Sequence, residues 1–387
     1  MKWTNKGHQY DKYATIFAKG KKLYIYGAGE NGKRLCDKFQ RFNCVEGFID
    51  NSVEKQGTSY SGVPIYTIFD ALKGNLKESI VVVAVSVESR NMIMQQMRTL
   101  GFEDSRNLFF YADFEDYFWP IYLLYAWDKL YFSSVGLTLT TVCNLRCKGC
   151  LAFIPHNKNP KMYDVEQFKS SVDNMFRNVD YVDVFQLSGG ETFLYPEQNE
   201  LIAYIGERYR DKIGIFYTTT NGTVMPKNEL LQTMKEHKVT VIVDDYTETI
   251  PENKDKTEKL IETLQEHDIM LLRNKVERWI DLAPTTTDNS HLSEEELIDY
   301  YGACSQPWIE LYNNYLYSCN YAQYAMRAEL IEDSENDRFS LEGDVDRRAL
   351  LEFRNGYTQK GYVEMCKKCA GYVLINKNKI KPAEQER

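Results

Sequence analysis

Residues 141–151 read TVCNLRCKGCL and hold three cysteines, Cys143, Cys147 and Cys150, in a CxxxCxxC spacing. The stretch directly follows the apolar run GLTLT at residues 136–140, which predicts a β-strand. An iron–sulfur cubane takes one cysteine per iron, whereas a structural zinc takes four ligands. Three thiolates therefore favour a [4Fe–4S] cluster with one open iron. The alternative is a zinc site that a distant fourth ligand completes.

Strands and helices alternate along most of the chain, which predicts parallel sheets and an α/β fold. The second series of strands contains more units than half of a Rossmann fold and fewer than a closed eightfold barrel. We expect four segments: a Rossmann-like parallel sheet at 1–112, a linker at 113–134, a partial (β/α)6 TIM-like barrel at 135–284 and a small α+β domain at 285–387.

The composition of the 387 residues is that of a folded chain, with 27% charged and 43% hydrophobic residues. A net charge of -9 disfavours a protein that binds duplex nucleic acid. The N-terminus has no apolar signal-peptide region, and apolar runs such as IVVVAVSV are about half of the ~20 residues that span a bilayer. Nine cysteines then fit metal binding or catalysis better than disulfides. We expect a cytoplasmic protein with no nucleic-acid or membrane partner.

A second motif, LSGGETFLYP, places Gly189, Gly190 and Glu191 after the next predicted strand. By itself GGE is compatible with an ordinary turn. Following the cysteine loop by one strand–helix unit, it resembles the GGE motif of the radical S-adenosylmethionine (SAM) enzymes. The resemblance implies that the three cysteines hold a cluster whose open iron binds SAM, and that GGE binds the methionyl amino group of SAM.

Polar residues end the following predicted strands and extend this resemblance. Thr220 and Asn221, in TTTNGT, match the family segment that lines the ribose or adenine side of SAM. Asp244 stands where family members often carry a ribose contact, and Arg273 is a candidate for the SAM carboxylate or the substrate. The family often has an aromatic residue before the third cysteine, but this chain has Gly149, so the residue that packs on adenine is unassigned. Phe153 is a candidate for that role.

Four further cysteines lie in the C-terminal region: Cys304 and Cys319 in ACSQPWIELYNNYLYSCN, and Cys366 and Cys369 in EMCKKC. On spacing alone they fit either zinc or an iron–sulfur cluster. Beside a radical SAM core, they resemble the Twitch domain, a shortened relative of SPASM, which implies a second [4Fe–4S] cluster. The family glycine is replaced by NN at 313–314, and asparagine tolerates the left-handed backbone of a hairpin turn. A fully ligated cluster is suited to moving an electron.

The two sites use seven of the nine cysteines, and the other two, Cys36 and Cys44, lie in the N-terminal segment. No spare thiol remains in the catalytic part to return a hydrogen atom, as redox-neutral radical epimerases of the family often require. The count favours net oxidation, although a tyrosine is an alternative hydrogen donor.

The N-terminal stretch IYGAGENGKRL contains Gly27, Gly29 and Gly32 in a GxGxxG pattern, and Asp50 ends the next predicted strand. That context is typical of dinucleotide-binding folds, in which phosphate lies on a helix N-terminus. The stretch GFIDNSVEKQGTSYSGVPIY resembles Rossmann-like domains of sugar-nucleotide and glycan-modifying enzymes. A nucleotide-sugar or related phosphate is the favoured ligand. A redox NAD site and a scaffold or dimerisation domain are the alternatives.

Together these motifs predict a radical SAM oxidoreductase with two [4Fe–4S] clusters and SAM, which receives electrons from flavodoxin or ferredoxin. The Rossmann-like partner domain, and the lack of a winged-helix peptide-recognition domain, favour a sugar, aminocyclitol or nucleotide-linked sugar as substrate. Dehydrogenation with the second cluster as electron acceptor is the expected reaction. The alternatives are a maturase of ribosomal peptides, a redox-neutral sugar epimerase and a non-catalytic iron–sulfur sensor. GGE argues against the sensor, which needs no methionine-binding turn.

Overall fold

Among the described residues, two large sheets organise the chain, one in each of the two units into which it divides, beside a small two-stranded sheet. The computed structural model describes residues 1–304 and 308–386. The small unit is Tyr10–Lys129, and the large unit combines Met1–Gln9 with the chain from Leu130 onward. Residues 305–307 and Arg387, which belong to the predicted domain 285–387, lie outside the described residues.

The sheet of the small unit runs in the order β3-β4-β2-β1-β5-β6, and all neighbours except β3 and β4 are parallel. Its strands are β1 Leu23–Tyr26, β2 Val45–Ile49, β3 Ser59–Tyr60, β4 Val63–Tyr66, β5 Ile80–Val83 and β6 Leu108–Phe110, and its first helices are α1 Glu30–Gln40, α2 Ile68–Lys73 and α3 Val87–Thr99. Every residue of β1 and β5 is buried, as expected of parallel strands that are covered on both faces. This confirms the predicted parallel α/β arrangement.

The aromatic segment predicted as a linker, 113–134, differs in the structure. It carries α4 Tyr111–Asp113 and α5 Trp119–Trp127, joined by the π-helical segment Phe114–Phe118. The Trp119 ring stacks on the ring of Phe39 at 3.9 Å between centroids, and the Trp119 side chain is fully buried. Burying so many aromatic rings stabilises a core, so these residues are part of the small unit as far as Lys129.

In the large unit the sheet runs in the order β11-β10-β9-β8-β7-β13-β14-β15, and the neighbours from β11 to β13 are parallel. Its strands are β7 Tyr131–Thr140, β8 Tyr181–Gly189, β9 Ile213–Thr220, β10 Val239–Asp244, β11 Leu271–Asn274, β13 Ile309–Tyr312, β14 Tyr315–Tyr317 and β15 Arg338–Ser340, while β12 Trp279–Ile280 pairs with β16 Lys379–Ile380. Parallel strands end at the same edge, so the loops after β7 to β11 share one edge of the sheet.

The helices of this unit are α6 Val165–Asn178, α7 Gln198–Tyr209, α8 Asn228–Glu236, α9 Lys254–Glu266, α10 Glu294–Ala303, α11 Asn320–Arg327 and α12 Arg347–Arg354. Asp164 caps α6, because its side chain accepts hydrogen bonds from the first-turn amides. Ser293 and Glu296 form the predicted capping box at the start of α10. Among the described residues, no helix combines the length and apolarity that a bilayer crossing requires.

The hairpin β13–β14 joins the same sheet as β7, although residues 285–387 were predicted as a separate domain. β13 pairs with the free edge of β7, where an unpaired strand would expose a row of backbone hydrogen-bonding groups. Asn313 and Asn314 form the turn with φ values of 47° and 62°, which confirms the predicted left-handed turn.

Candidate functional site

A cavity of about 500 Å³ opens at the carboxyl ends of β7 to β11. The cysteine loop begins directly after β7, and Cys143, Cys147 and Cys150 all line this cavity. The structure therefore brings the three predicted cluster ligands to one wall.

Cys147 is buried, and Cys143 and Cys150 are half-buried. Burial raises the pKa of Cys143 to about 12 and that of Cys147 to about 11, and burial also raises the pKa of Cys150. Such thiols ionise when a bound cation compensates the charge, as metal ions do. Within residues 1–304 and 308–386, no group of three or more His, Cys, Asp or Glu side chains is arranged to hold one metal ion.

Gly189 and Gly190 bring the end of β8 against the cysteine loop. A Cβ atom at Gly190 would lie 2.3 Å from the carbonyl oxygen of Val142, and one at Gly189 would lie 2.7 Å from that of Thr140. The Gly190 amide donates to the Thr140 carbonyl at 2.8 Å. Both glycines also line the cavity, so they allow a close approach to the loop as well as to a ligand.

The carboxylate of Glu191 lies beneath the cavity wall and connects the loop after β8 with the loop after β9. Its oxygens accept hydrogen bonds from the Thr220 hydroxyl, the Asn221 amide and the Phe193 amide, at 2.8, 2.8 and 3.0 Å. Burial raises the pKa of Glu191 to about 7, and these donors oppose the rise. Its predicted contact with the SAM amino group stays a prediction.

Asn221 and Thr220 both line the cavity, next to the cysteine loop. The Asn221 side-chain amide donates to the Asn144 side-chain oxygen at 2.9 Å, which ties the loop after β9 to the cysteine loop. These are the positions that the sequence predicted for the ribose or adenine side.

Asp244 lines the cavity, whereas Arg273 does not. Asp244 accepts a hydrogen bond from the side chain of Asn274 at 2.7 Å, and burial raises the pKa of Asp244. The Arg273 guanidinium is instead paired with Asp245 and Glu258, at 2.7 and 2.6 Å. Neighbouring side chains on a strand point to opposite faces, so Asn274 takes the cavity side that was expected for Arg273.

One basic side chain of the cavity wall, Arg278, was not predicted. It follows β11 in a segment without a regular apolar pattern, so sequence reasoning had no signal for it.

Ile380 fills the space beside Gly149. A Cβ atom at Gly149 would lie 2.1 Å from the Ile380 Cδ1 atom, so a ring at that position would require the Ile380 side chain to move. Phe153 is buried in an apolar cluster and does not line the cavity. Trp279 and Tyr246 do line it, with their rings edge to face at 5.4 Å between centroids.

A buried acid stands behind the cavity and was also missed. Glu310, on β13, is fully buried and accepts hydrogen bonds from the Thr138 amide at 2.8 Å and the Tyr324 hydroxyl at 3.2 Å. Burial raises the pKa of Glu310, which the Arg327 guanidinium opposes. Gly136 leaves room for this carboxylate, because a Cβ atom there would lie within 3 Å of it. The single acid in the apolar strand WIELY was the available signal.

The four remaining ligand candidates, Cys304, Cys319, Cys366 and Cys369, line one small second cavity. Burial raises the pKa of Cys319, Cys366 and Cys369, the last to about 12. The side chain of Asn289 donates to the carbonyls of Cys366 and Cys369, at 2.9 and 3.0 Å, and fixes that turn. The structure thus joins two cysteine pairs that are distant in the sequence.

Tyr321 and Tyr372 line both cavities. Their rings lie 5.3 Å apart between centroids and form a wall that the two cavities share.

In the small unit the glycine loop packs tightly. A Cβ atom at Gly27 would lie 2.8 Å from the Ala84 carbonyl, and one at Gly32 would lie 1.8 Å from the Gly27 carbonyl. Gly29 begins α1. Burial tends to raise the pKa of Asp50, but hydrogen bonds from Ser52, Ala28 and Lys55 hold it below its usual range. The Asp50 carboxylate accepts from the Ala28 amide at 2.7 Å, so the loop itself already engages it.

Residues 137–274 match the family model of the Radical SAM superfamily. These residues form a radical SAM domain. Such a domain implies a [4Fe–4S] cluster and SAM, and its range includes the cysteine loop, the Gly-Gly-Glu turn and the strand ends up to Asn274.

A curated relative of this chain is the antilisterial bacteriocin subtilosin biosynthesis protein AlbA of Bacillus subtilis (strain 168), which is 34% identical over 108 residues. The match covers 27% of this chain and 22% of AlbA, so the chain spans about a fifth of that relative. BtrN in complex with AdoMet and 2-DOIA is 15% identical, with a TM-score of 0.34 and coverage of 64% of this chain and 96% of BtrN. Streptococcus suis SuiB bound to S-adenosylmethionine is 16% identical, with a TM-score of 0.31 and coverage of 48% and 43%.

Proposed function

We propose that this chain is a radical SAM oxidoreductase that dehydrogenates a small carbohydrate-type substrate. The observation that carries the proposal is the pair of cysteine-lined cavities with a shared wall. One has three thiols beside open volume, and the other has four thiols in a smaller space.

Cys143, Cys147 and Cys150 are the residues that would hold the first [4Fe–4S] cluster. When bound with SAM on its open iron, this group supplies an electron that cleaves a carbon–sulfur bond of SAM and yields a radical that abstracts hydrogen. Gly189 and Gly190 leave room for the methionyl part of SAM beside these cysteines. Trp279 and Tyr246 provide aromatic surface for its adenine.

Cys304, Cys319, Cys366 and Cys369 are proposed to hold a second cluster in a Twitch-like arrangement. With four thiolate ligands this group supplies an electron acceptor and has no open iron for substrate. Oxidation of a carbinol to a ketone loses one hydrogen atom, one proton and one electron. Tyr321 and Tyr372 form the shared wall across which that electron would pass.

The proton of the substrate hydroxyl is proposed to leave through Tyr324. Its phenol oxygen, on the cavity wall, accepts the substrate proton while its own proton passes to the Glu310 carboxylate at 3.2 Å. Because burial raises the pKa of Glu310, this carboxylate is a better proton acceptor than an exposed one.

The lining of the cavity favours a hydroxyl-rich substrate. Besides aromatic rings, it presents amide, hydroxyl and guanidinium groups that suit a sugar or aminocyclitol: Gln186, Ser188, Asn274, Arg278 and Asn320. A cavity of about 500 Å³ lies within the usual size range for small-molecule sites.

For the small unit we propose a nucleotide or nucleotide-linked sugar at the glycine loop. The sheet is parallel there and α1 begins at the loop, which is the arrangement that receives phosphate in such folds. In the described structure no heavy atom outside Gly29 and its chain neighbours lies within 4 Å of where a Gly29 Cβ would stand, so that side of the loop is open. The proposed electron donor for the whole enzyme is flavodoxin or ferredoxin.

A second candidate is the maturation of a ribosomal peptide. Its specific support is the 34% identity to a bacteriocin biosynthesis protein over 108 residues. A redox-neutral sugar epimerase is a third candidate, and its product would have the mass of its substrate.

The test is anaerobic reconstitution followed by turnover. We expect about eight irons per chain, and dithionite should convert SAM to 5′-deoxyadenosine and methionine. We then compare how much UDP-hexoses, aminocyclitols and a leader-bearing peptide each increase the formation of 5′-deoxyadenosine. A carbohydrate product that is lighter by two hydrogens supports the proposal, whereas intact SAM with both clusters filled overturns it.

A further inference from the structure

Residues 379–386, called the strap below, run antiparallel to the cysteine loop. The Lys148 amide donates to the Glu384 carbonyl and the Glu386 amide donates to the Arg146 carbonyl, both at 2.7 Å. Between these bonds, Cys147 and Gln385 form an antiparallel bridge. The loop that carries the three cysteines is therefore paired, like a strand, with a segment that is distant in the sequence.

The side-chain amide of Gln385 forms hydrogen bonds through both its oxygen and its nitrogen. Its oxygen accepts the Arg146 amide at 2.8 Å, which assigns the amide orientation. Its nitrogen donates to the Cys147 Sγ atom at 3.2 Å and to the Ala383 carbonyl at 2.8 Å. The donor is thus held on the sulfur with little freedom to rotate.

The rest of the strap is anchored by packing. Ala383 is fully buried in an apolar cluster with Cys147 and Ile250. Ile380 pairs with Trp279 across β12 and β16 and fills the space beside Gly149. These contacts fix the strap in place against the three-cysteine site.

We infer that Gln385 is a positioning residue for the cluster at Cys143, Cys147 and Cys150, and that its N–H group raises the reduction potential of that cluster. The inference rests on the proposed cluster site. Hydrogen bonds to the sulfur ligands are among the factors that set cluster potentials. A donor pointed at a thiolate stabilises the more negative, reduced state of the cluster, which makes the cluster easier to reduce.

The test compares Gln385→Leu with Glu384→Gln in the reconstituted full chain. Gln385→Leu removes the donor and adds no charge. Glu384→Gln is the matched control, because it removes only the exposed ion pair with Lys148 and keeps the backbone bonds. Redox titration followed by electron paramagnetic resonance (EPR) should move the midpoint of the SAM-binding cluster to a more negative potential in Gln385→Leu alone. The midpoint of the second cluster should stay unchanged in both variants.

A third variant, Glu386→Pro, removes the amide that donates to Arg146 and leaves Gln385 in place. We expect faster hydrogen exchange at the Lys148 amide and a lower iron content at the three-cysteine site. A folded Gln385→Leu chain that binds less iron than Glu384→Gln also supports the inference. Equal midpoints and iron contents in Gln385→Leu and wild type overturn it. A wild-type chain that takes up no cluster at these cysteines overturns the proposed function instead.

Discussion

The two cysteine sites differ in how the chain builds them. Three thiols of the first come from one short loop, and they line a cavity of about 500 Å³ that strand ends surround. The four thiols of the second come from three separated segments and line a much smaller cavity among buried aromatic and aliphatic side chains. A contiguous loop beside open space suits a cluster that binds a ligand, whereas an enclosed set of four suits one that only exchanges electrons.

The largest expected effect comes from removing a cysteine of the three-cysteine site, called the open site below; the four-cysteine site is called the enclosed site. Cys147→Ala should abolish SAM cleavage, because the cluster that primes it is lost, and iron should fall from about eight to about four per chain. Iron analysis and chromatography of 5′-deoxyadenosine measure both. Cys44→Ala, in the small unit, is the matched control and should retain full iron and activity.

Removing a cysteine of the enclosed site should separate SAM cleavage from oxidation of the substrate. Cys366→Ala should also reduce iron to about four per chain, yet 5′-deoxyadenosine should still form while the oxidised product disappears. Product formation by Cys366→Ala at the wild-type rate would remove the electron-acceptor role from this site.

The proton path should produce an intermediate effect. Tyr324→Phe loses the hydroxyl that bonds Glu310, so product formation should fall by about 10²-fold, a typical contribution of acid–base catalysis. SAM cleavage should persist. Tyr217→Phe removes another phenol of the cavity wall and should change the rate only slightly. The assay uses whichever carbohydrate stimulates 5′-deoxyadenosine formation, and equal rates for the two variants would contradict the path.

The smallest effect concerns the change of stability with pH. Burial raises the pKa of Glu191, near the open site, and of Asp337, whose backbone precedes the last strand of the sheet, to about 7. The folded state then binds more protons than the unfolded state between the ordinary carboxyl pKa and about 7. Stability that is present below pH ~4 should therefore decline as pH rises to about 7.

Glu191→Gln should remove its part of this slope, up to about 3 kcal/mol. Urea unfolding of the wild type and the variant between pH 5 and 8 measures it. Parallel curves for the two chains would show that Glu191 is ionised throughout this range.

Local patterns determined much of the fold and the open site in advance. The cysteine spacing, the Gly-Gly turn, the capping box at Ser293 and the asparagine turn at 313–314 each depend on a few neighbouring residues. Such features are readable because the geometry that requires them is local.

The features that sequence reasoning missed depend on distant contacts. Arg273 was assigned to the cavity, but the strand alternation places Asn274 there. Which of these two neighbouring side chains faces the cavity depends on the register of β11 in the sheet. Ile380, more than two hundred residues away in the sequence, occupies space that a ring at Gly149 would need. Glu310 meets the Thr138 amide only because β13 pairs with β7. Apolar pattern alone contains none of these relations.

The measurement that tests the central claim most directly is EPR of the reduced single-site variants with and without SAM. Cys366→Ala retains the open site, and Cys147→Ala retains the enclosed one. We predict that SAM changes the spectrum of Cys366→Ala and leaves that of Cys147→Ala unaltered. A Cys366→Ala spectrum that does not respond to SAM would contradict the account.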